Sequence, residues 1–280
     1  MKFTKMQGIG NDYVYVNCFE EDIKTPSELS IAISDRHFGV GSDGLIMIMP
    51  SPIADARMRI FNADGSEAQM CGNGIRCVAK YLYEYGIKKS DRMTIETAAG
   101  LKTIELTTVN GGVTQIKVEM GTPELLRNNI PMLGENKQVI NEPLQVNDSV
   151  LYVTCVSMGN PHCITFVDDV DSIILDVTGK AIENHELFPE RINAHFVQQI
   201  SANKVKMRTW ERGSGETLAC GTGAVATGVA CVLNNLTERV INAQLPGGEL
   251  TVEWTDDNKT FMTGPAEIVF TGQWDEQKSQ

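Results

Sequence analysis

Two stretches decide how this 280-residue chain folds: FNADGSEAQMCGNGIRC at 61–77 and TWERGSGETLACGTGAVA at 209–226. Each sets a cysteine directly before Gly-X-Gly, with a glutamate four residues earlier. They align without a gap at an offset of 149, since 220 − 71 = 149. Met58 then meets Met207, Arg59 meets Arg208, Glu67 meets Glu216, and Gly72 and Gly74 meet Gly221 and Gly223. The same offset pairs Gly10-Asn11 with Gly159-Asn160, each just ahead of an apolar strand. Two separate sites holding one offset imply duplicated halves. The join is expected at EMGTPE, near residue 120. That gives an N-terminal half over 1–119 with Cys71 and a C-terminal half over 120–264 with Cys220. MTGPA at 262–266 sits at a comparable point in the second half, so the closing strand EIVFTGQW is expected to cross back. Residues 265–280 would then belong with the first half.

Around these landmarks most segments read as short strands. DYVYVNC, GLIMIMP, MRIFNAD, MTIETAAG and TQIKVEM are rich in Val, Ile, Met, Thr and Tyr and are bounded by Gly, Asn, Asp or Pro. TTVNGGVTQIKV carries an Asn-Gly turn between two such runs, which predicts a hairpin. GIRCVAKYLYEY at 74–85 places Ile75, Val78 and Leu82 at helical spacing, with Gly86 as a stop. GAVATGVACVLN at 223–234 is apolar nearly all round, the pattern of a helix surrounded by sheet. The expected class is α+β: two pseudo-symmetric domains, each a sheet-rich, barrel-like layer around a central helix. Domain interfaces commonly hold ligand sites, and a pseudo-twofold relation would bring Cys71 and Cys220 to opposite sides of one ligand.

Composition narrows the function. A net charge of −12 opposes binding to nucleic acid and to anionic membrane surfaces. MKFTKMQGIGND lacks an apolar signal core, and no run approaches the ~18 apolar residues of a membrane span. Seven scattered cysteines, an odd number, suit a reduced cytoplasmic protein better than a disulfide scaffold.

The two cysteine turns carry the chemistry. A helix N-terminus leaves backbone N–H groups free and carries partial positive charge, which favours a thiolate and can cradle a carboxylate. Glycine lets the ligand approach the turn closely. A carboxylate held there, flanked by two sulfurs, suits removal of a proton from the adjacent carbon by one thiolate and delivery of another by the opposite thiol. Configuration then inverts, while the N–H groups stabilise the charge spreading into the carboxylate. Buried cysteines are usually small core residues, which is the reading adopted for Cys18, Cys77, Cys155, Cys163 and Cys231. A matched pair at duplicated turns favours function for Cys71 and Cys220. Cys155, His162 and Cys163 in CVSMGNPHC lack a paired Cys-x-x-Cys and a fourth ligand, so no metal is expected. GIGND and HFGVGSDG lack the strand–Gly-x-Gly-x-x-Gly–helix layout of a nucleotide loop and read as turns.

With these residues assembled, the chain resembles the diaminopimelate epimerase family over essentially its whole length. GNDYV, NADGSEAQMCGNGIRC, MGNPH, RINAHFV and ERGSGETLACGTGA carry the resemblance, in that order. It implies interconversion of LL- and meso-diaminopimelate on the route to lysine and peptidoglycan. It implies no pyridoxal phosphate, no metal and no other cofactor, a fold of two similar domains, a cytoplasmic location, and a small-molecule partner only. A homodimer is compatible with it. Carried over residue by residue, Cys71 and Cys220 are the acid/base pair. Gly72, Asn73, Gly221 and Thr222 supply backbone N–H groups to the reacting carboxylate. Asn11, Asn62, Asn160 and Asn193 hydrogen-bond substrate, Glu211 and Arg212 read its distal amino-acid end, and His162 and Glu211 tune the cysteines. Gly44 stands where some members carry a substrate-touching glutamine, so that contact is not carried over. RINAHFV departs from the commoner RTNVEFV at Ile192, Ala194 and His195.

The nearest rival is an epimerase of the same fold acting on proline or hydroxyproline. Such relatives typically have histidine after the first Cys-Gly and a DRSPCGTG-like second motif, where this chain has Asn73 and ERGSGETLACGTG. A cyclic imino acid would also leave Arg212 without a distal carboxylate. A non-catalytic amino-acid binder or redox switch would need only one reactive cysteine, or a pair poised for a disulfide.

Overall fold

The computed structural model describes residues 1–275. The chain divides into two compact units, one of Met1–Val118 with the residues from Gly264 on, the other of Glu119–Thr263. The first unit holds β1 (Lys2–Gly8), β2 (Asn11–Asn17), α1 (Pro26–Ser34), β3 (Gly44–Met49), β4 (Ala56–Asn62), β5 (Glu67–Ala68), α2 (Gly72–Glu84), β6 (Arg92–Thr97), β7 (Gly100–Val109) and most of β8 (Gly112–Gly121). The second holds β9 (Glu142–Val146), β10 (Ser149–Ser157), β11 (Pro161–Phe166), α3 (Leu175–Glu183), β12 (Asn193–Ser201), β13 (Lys204–Glu211), β14 (Gly215–Thr217), α4 (Gly221–Leu233), β15 (Val240–Leu245), β16 (Gly248–Trp254) and β17 (Thr260–Gly264). The last strand, β18 (Glu267–Gln273), pairs antiparallel with β1.

Both units follow one plan. In the first, β18–β1–β2 are antiparallel, β2 runs parallel to β3, β3–β4 are antiparallel, β4 runs parallel to β6, and β6–β7–β8 are antiparallel. The second repeats this as β9–β10–β11, β11 parallel to β12, β12–β13, β13 parallel to β15, and β15–β16–β17. Parallel neighbours need a crossover, and each of the four crossovers contains a helix. The offset of 149 carries α1 onto α3 and α2 onto α4, since 26 + 149 = 175 and 72 + 149 = 221. The class is α+β, in two domains.

Burial explains why these sequences form these elements. GLIMIM of β3 is a continuous apolar run because both its faces are covered. Leu45 and Met47 join Leu29 and Ile33 of α1 in one cluster. Ile46 reaches the other side, where its Cδ1 would lie 2.6 Å from a Cβ on Gly74 of α2. α2 is buried continuously from Gly72 to Leu82, and α4 from Gly223 to Cys231, so each helix is enclosed by its sheet. Small residues let α4 sit so deep: a Cβ on Gly228 would meet Val252 at 2.7 Å. The hairpin between β7 and β8 turns at Asn110 and Gly111, both with positive φ (53° and 82°), as an Asn-Gly turn requires. No helix among the described residues is long and apolar enough to cross a membrane.

Candidate active site

In each unit a short strand hands the chain to the inner helix, and a cysteine stands at the handover. β5 pairs with the end of β4, and β14 with the end of β13. Arg59 Nε to Glu67 Oε1 (2.7 Å) and Arg208 Nη2 to Glu216 Oε1 (2.8 Å) lie across these equivalent pairs. Cys71 is the N-cap of α2 and Cys220 the N-cap of α4, both in extended backbone conformation. The N–H groups of the first helical turn, which no carbonyl of the helix itself can accept from, follow each of them directly.

Their neighbours differ. Cys71 is half-buried, and its Sγ accepts the Gly74 N–H at 3.2 Å. Its thiol also donates to Asn11 Oδ1 at 3.4 Å. Asn11 is turned that way because its Nδ2 donates to Asp43 Oδ2 at 2.8 Å. Asp43 accepts the Asp12 N–H as well and pairs with Arg36 at 2.9 Å. Asp43 was not found from the sequence, where it reads as part of a glycine-rich turn. Cys220 is buried, with Sγ 3.8 Å from Thr222 Oγ1. Burial, followed by the Glu211 carboxylate, pushes its thiol well above the ordinary range, against the lowering pull of the Gly223 N–H and the Thr222 hydroxyl. The expectation that the helix end makes this thiol acidic is therefore corrected: at Cys220 desolvation outweighs the helix terminus.

Most of the other expected residues lie in the second unit, in two hydrogen-bonded groups. Asn160 donates from Nδ2 to Thr222 Oγ1 (3.3 Å), and its Oδ1 lies 3.0 Å from His162 Nε2. His162 is buried, and its pKa is held well below 6.5 by burial first, then by His195 and Arg212. Glu211 accepts the Thr217 hydroxyl at 2.6 Å. Buried Asn193 donates to Pro161 O (2.8 Å) and accepts the Arg212 N–H (2.9 Å). Glu183 of α3 accepts the Trp210 indole N–H (2.7 Å) and the Gly213 N–H (2.9 Å). Asn193 and Glu183 thus clamp the backbone on both sides of Arg212, whose Nη1 donates to Glu190 O at 2.8 Å. Glu183 is a residue that sequence reasoning missed, since α3 itself left no clear signal. Asn62, in the first unit, donates to Ser66 Oγ at 3.0 Å beside the β4–β5 turn.

A Cβ on Gly44 would sit 2.1 Å from Phe61 O and 2.7 Å from Tyr13 Cε1, so the Tyr13 ring occupies the space a side chain would need. Cys155 and Cys163 are buried cross-strand partners of β10 and β11. Cys77 and Cys231 are buried with thiols pushed up to about 12, chiefly by burial; Cys18 is only half-buried, its thiol at about 11. Among the described residues one cluster could offer metal ligands: His162, His195 and Cys220, with ligand atoms within 4.8 Å of one another. His162 Nδ1 and His195 Nε2 stand 2.8 Å apart, however. Two nitrogens each ~2.0–2.1 Å from a tetrahedral zinc ion lie farther apart than that, so the spacing suits a shared proton.

The family model described as diaminopimelate epimerase matches residues 3–126 and 154–269. The chain is 52% identical over 276 residues to a diaminopimelate epimerase of Acetivibrio thermocellus, covering 98% of this chain and 99% of the relative. It is likewise 52% identical over 276 residues to one of Methanococcus maripaludis, covering 98% and 100%. Among solved structures, a hydroxyproline epimerase of Agrobacterium vitis superposes with a TM-score of 0.71 at 14% identity, covering 100% of this chain and 94% of that one. A probable proline racemase of Agrobacterium radiobacter K84 gives 0.71 at 15%, covering 98% and 93%. Those two share the fold, while the sequence match over nearly the full length is to a different group of epimerases: the chain belongs to the diaminopimelate epimerase family.

Proposed function

We propose that this protein interconverts LL- and meso-2,6-diaminopimelate, with Cys71 and Cys220 as the two acid/base residues. The observation that carries the reading is the matched pair of N-cap cysteines, each followed by the first turn of a buried helix. A proton on a carbon next to a carboxylate is weakly acidic, and its removal needs a base together with donors for the charge that develops. One thiolate takes the proton; the electron pair spreads into the carboxylate; the other cysteine, as thiol, protonates the opposite face. The backbone N–H groups of Gly72, Asn73, Gly221 and Thr222 would hold the carboxylate throughout. Asn11, Asn62 and Asn160 would hydrogen-bond the reacting amino-acid end. Asn193 keeps one amide hydrogen for substrate after bonding Pro161 O. Arg212 would pair with the distal carboxylate and Glu211 with the distal ammonium, while Glu211 and His162 would tune the two cysteines. The two α-amino acid ends explain why the site needs a cation and an anion away from the sulfurs.

The test is turnover of LL-diaminopimelate by the wild type beside Cys71→Ala and Cys220→Ala. Each variant should lose about 10²–10⁴-fold or more, the usual worth of a positioned acid or base. Near-normal turnover by either variant would remove the two-base assignment. Wild-type turnover of proline but not of diaminopimelate would remove the substrate.

A further inference from the structure

His195, on β12, is fully buried and has no part in the chemistry above. Its imidazole lies against the first turn of α4: a Cβ on Gly223 would sit 2.2 Å from its Cε1, so glycine is what admits the ring. Four other polar side chains line up with it. Thr209 Oγ1 is 2.9 Å from His195 Nδ1, His195 Nε2 is 2.8 Å from His162 Nδ1, and His162 Nε2 is 3.0 Å from Asn160 Oδ1. Asn160 Nδ2 is 3.3 Å from Thr222 Oγ1, which stands 3.8 Å from Cys220 Sγ.

The direction of the chain is fixed by what each atom can do. An amide oxygen only accepts, so His162 donates from Nε2. The buried His162 ring is neutral, so its Nδ1 accepts, and His195 must donate from Nε2. Burial pushes His195 down to about 3, so it too is neutral, and its Nδ1 accepts the Thr209 hydroxyl. At the far end the Asn160 amide N–H occupies a lone pair of the Thr222 oxygen, leaving the Thr222 O–H to turn toward sulfur. Every link donates toward Cys220. The offset of 149 puts Ile60 and Ile46 at the positions of Thr209 and His195, and isoleucine cannot continue such a chain.

We propose that His195, backed by Thr209, is a positioning residue for Cys220: it fixes the tautomer of His162, and through Asn160 aims the Thr222 hydroxyl at the sulfur, favouring thiolate when Cys220 acts as base. This rests on the acid/base role given to Cys220 above. The charged groups that act here are the Glu211 carboxylate, which opposes a thiolate, and Arg212, which acts on His162. The relay works against Glu211 and burial.

The experiment reads the sulfur directly. Full-length protein is alkylated with iodoacetamide from about pH 6 to 10, and rates at Cys220 and Cys71 are resolved by peptide mass spectrometry. His195→Leu should move the Cys220 profile to higher pH and slow its alkylation at pH 8 by about tenfold, as one pKa unit would, with Cys71 unmoved. His195→Gln, whose amide can still donate to His162, should restore most of the rate. Thr209→Val, nearly isosteric, should shift Cys220 in the same direction without disturbing the fold, which keeps the test open should His195→Leu fail to fold. An unshifted Cys220 profile in Thr209→Val, equal shifts at both cysteines, or no rescue by glutamine would each overturn the relay. Because alkylation needs no substrate, a wild type inactive on diaminopimelate would strike the proposed reaction and leave this test standing.

Discussion

Cys71 and Cys220 hold equivalent positions, yet one sulfur faces an amide oxygen fixed by Asp43 and the other a hydroxyl oriented by a buried histidine pair. The motif residues were legible in the sequence because the duplicated Cys-Gly-X-Gly turns announce themselves. Asp43, Glu183 and Thr209 were not, since each reaches its partner only through tertiary packing, and an acid or threonine in a strand or turn carries no local mark of that use. Arg212 was legible as a charge within a motif, but its support was not: Asn193 and Glu183 hold the backbone to either side of it. That support makes a clean test, because removing the guanidinium leaves the clamp intact. Arg212→Met should raise the KM for diaminopimelate by about 10- to 150-fold, the equivalent of a charge-assisted contact of roughly 1.5–3 kcal/mol, with the melting temperature little changed. An unchanged KM would show that Arg212 does not read the distal end.

At the scale of elements, α2, α4, the β7–β8 hairpin and strands such as β3 follow from periodicity and turn chemistry. α1 and α3 did not, and their sequences say why. Neither Thr25 nor Ile174 makes a side-chain cap, and α3 carries Gly179 in its middle because a Cβ there would lie 2.6 Å from Trp210 Cβ. β1 was missed as well: Lys5, buried and paired with Asp12, interrupts its apolar pattern. β3 yields a prediction at Gly44. Gly44→Gln should not add a substrate contact, because its Cβ would collide with Phe61 O and the Tyr13 ring. It should destabilise by about 1–3 kcal/mol and lower the Tm by several degrees, at roughly 2–4 °C per kcal/mol; an unchanged Tm with a lower KM would contradict this. β11 and β12 yield a second. His162 and His195 are both depressed in the folded state, His195 to about 3, against an unfolded value near 6.5. The unfolded chain therefore binds more protons below pH ~6.5, so stability rises with pH through that window. Each contribution is fully present above ~6.5 and is lost as pH falls, in the case of His195 down to about 3, with a slope of up to about 1.4 kcal/mol per pH unit for each histidine. Urea titrations at pH 7.5, 6 and 5 should show this loss, and His195→Gln should flatten it. A slope identical in the variant would mean that other groups drive the acid transition.

For the whole molecule, one strand plan occurs twice with a helix-capping cysteine in each copy, and the proposed reaction gives each unit one base. A single base could invert a carbon only by carrying its proton from one face to the other. Two bases separate removal from delivery, and that separation is visible in heavy water. When LL-diaminopimelate is turned over in deuterium oxide and sampled early, the cysteine that removes protium keeps it as S–H. The other cysteine, already exchanged with solvent, delivers deuterium to the opposite face. Early meso product should carry deuterium at the inverted carbon, while recovered substrate should remain mostly protium, because reversal returns the original hydrogen before it exchanges. His195→Leu should leave this pattern intact while slowing turnover, since the relay orients a donor to Cys220 without itself carrying a proton to substrate. Early product that retains much of the substrate's own hydrogen would point to one base serving both faces, and the two N-cap cysteines would then need separate roles.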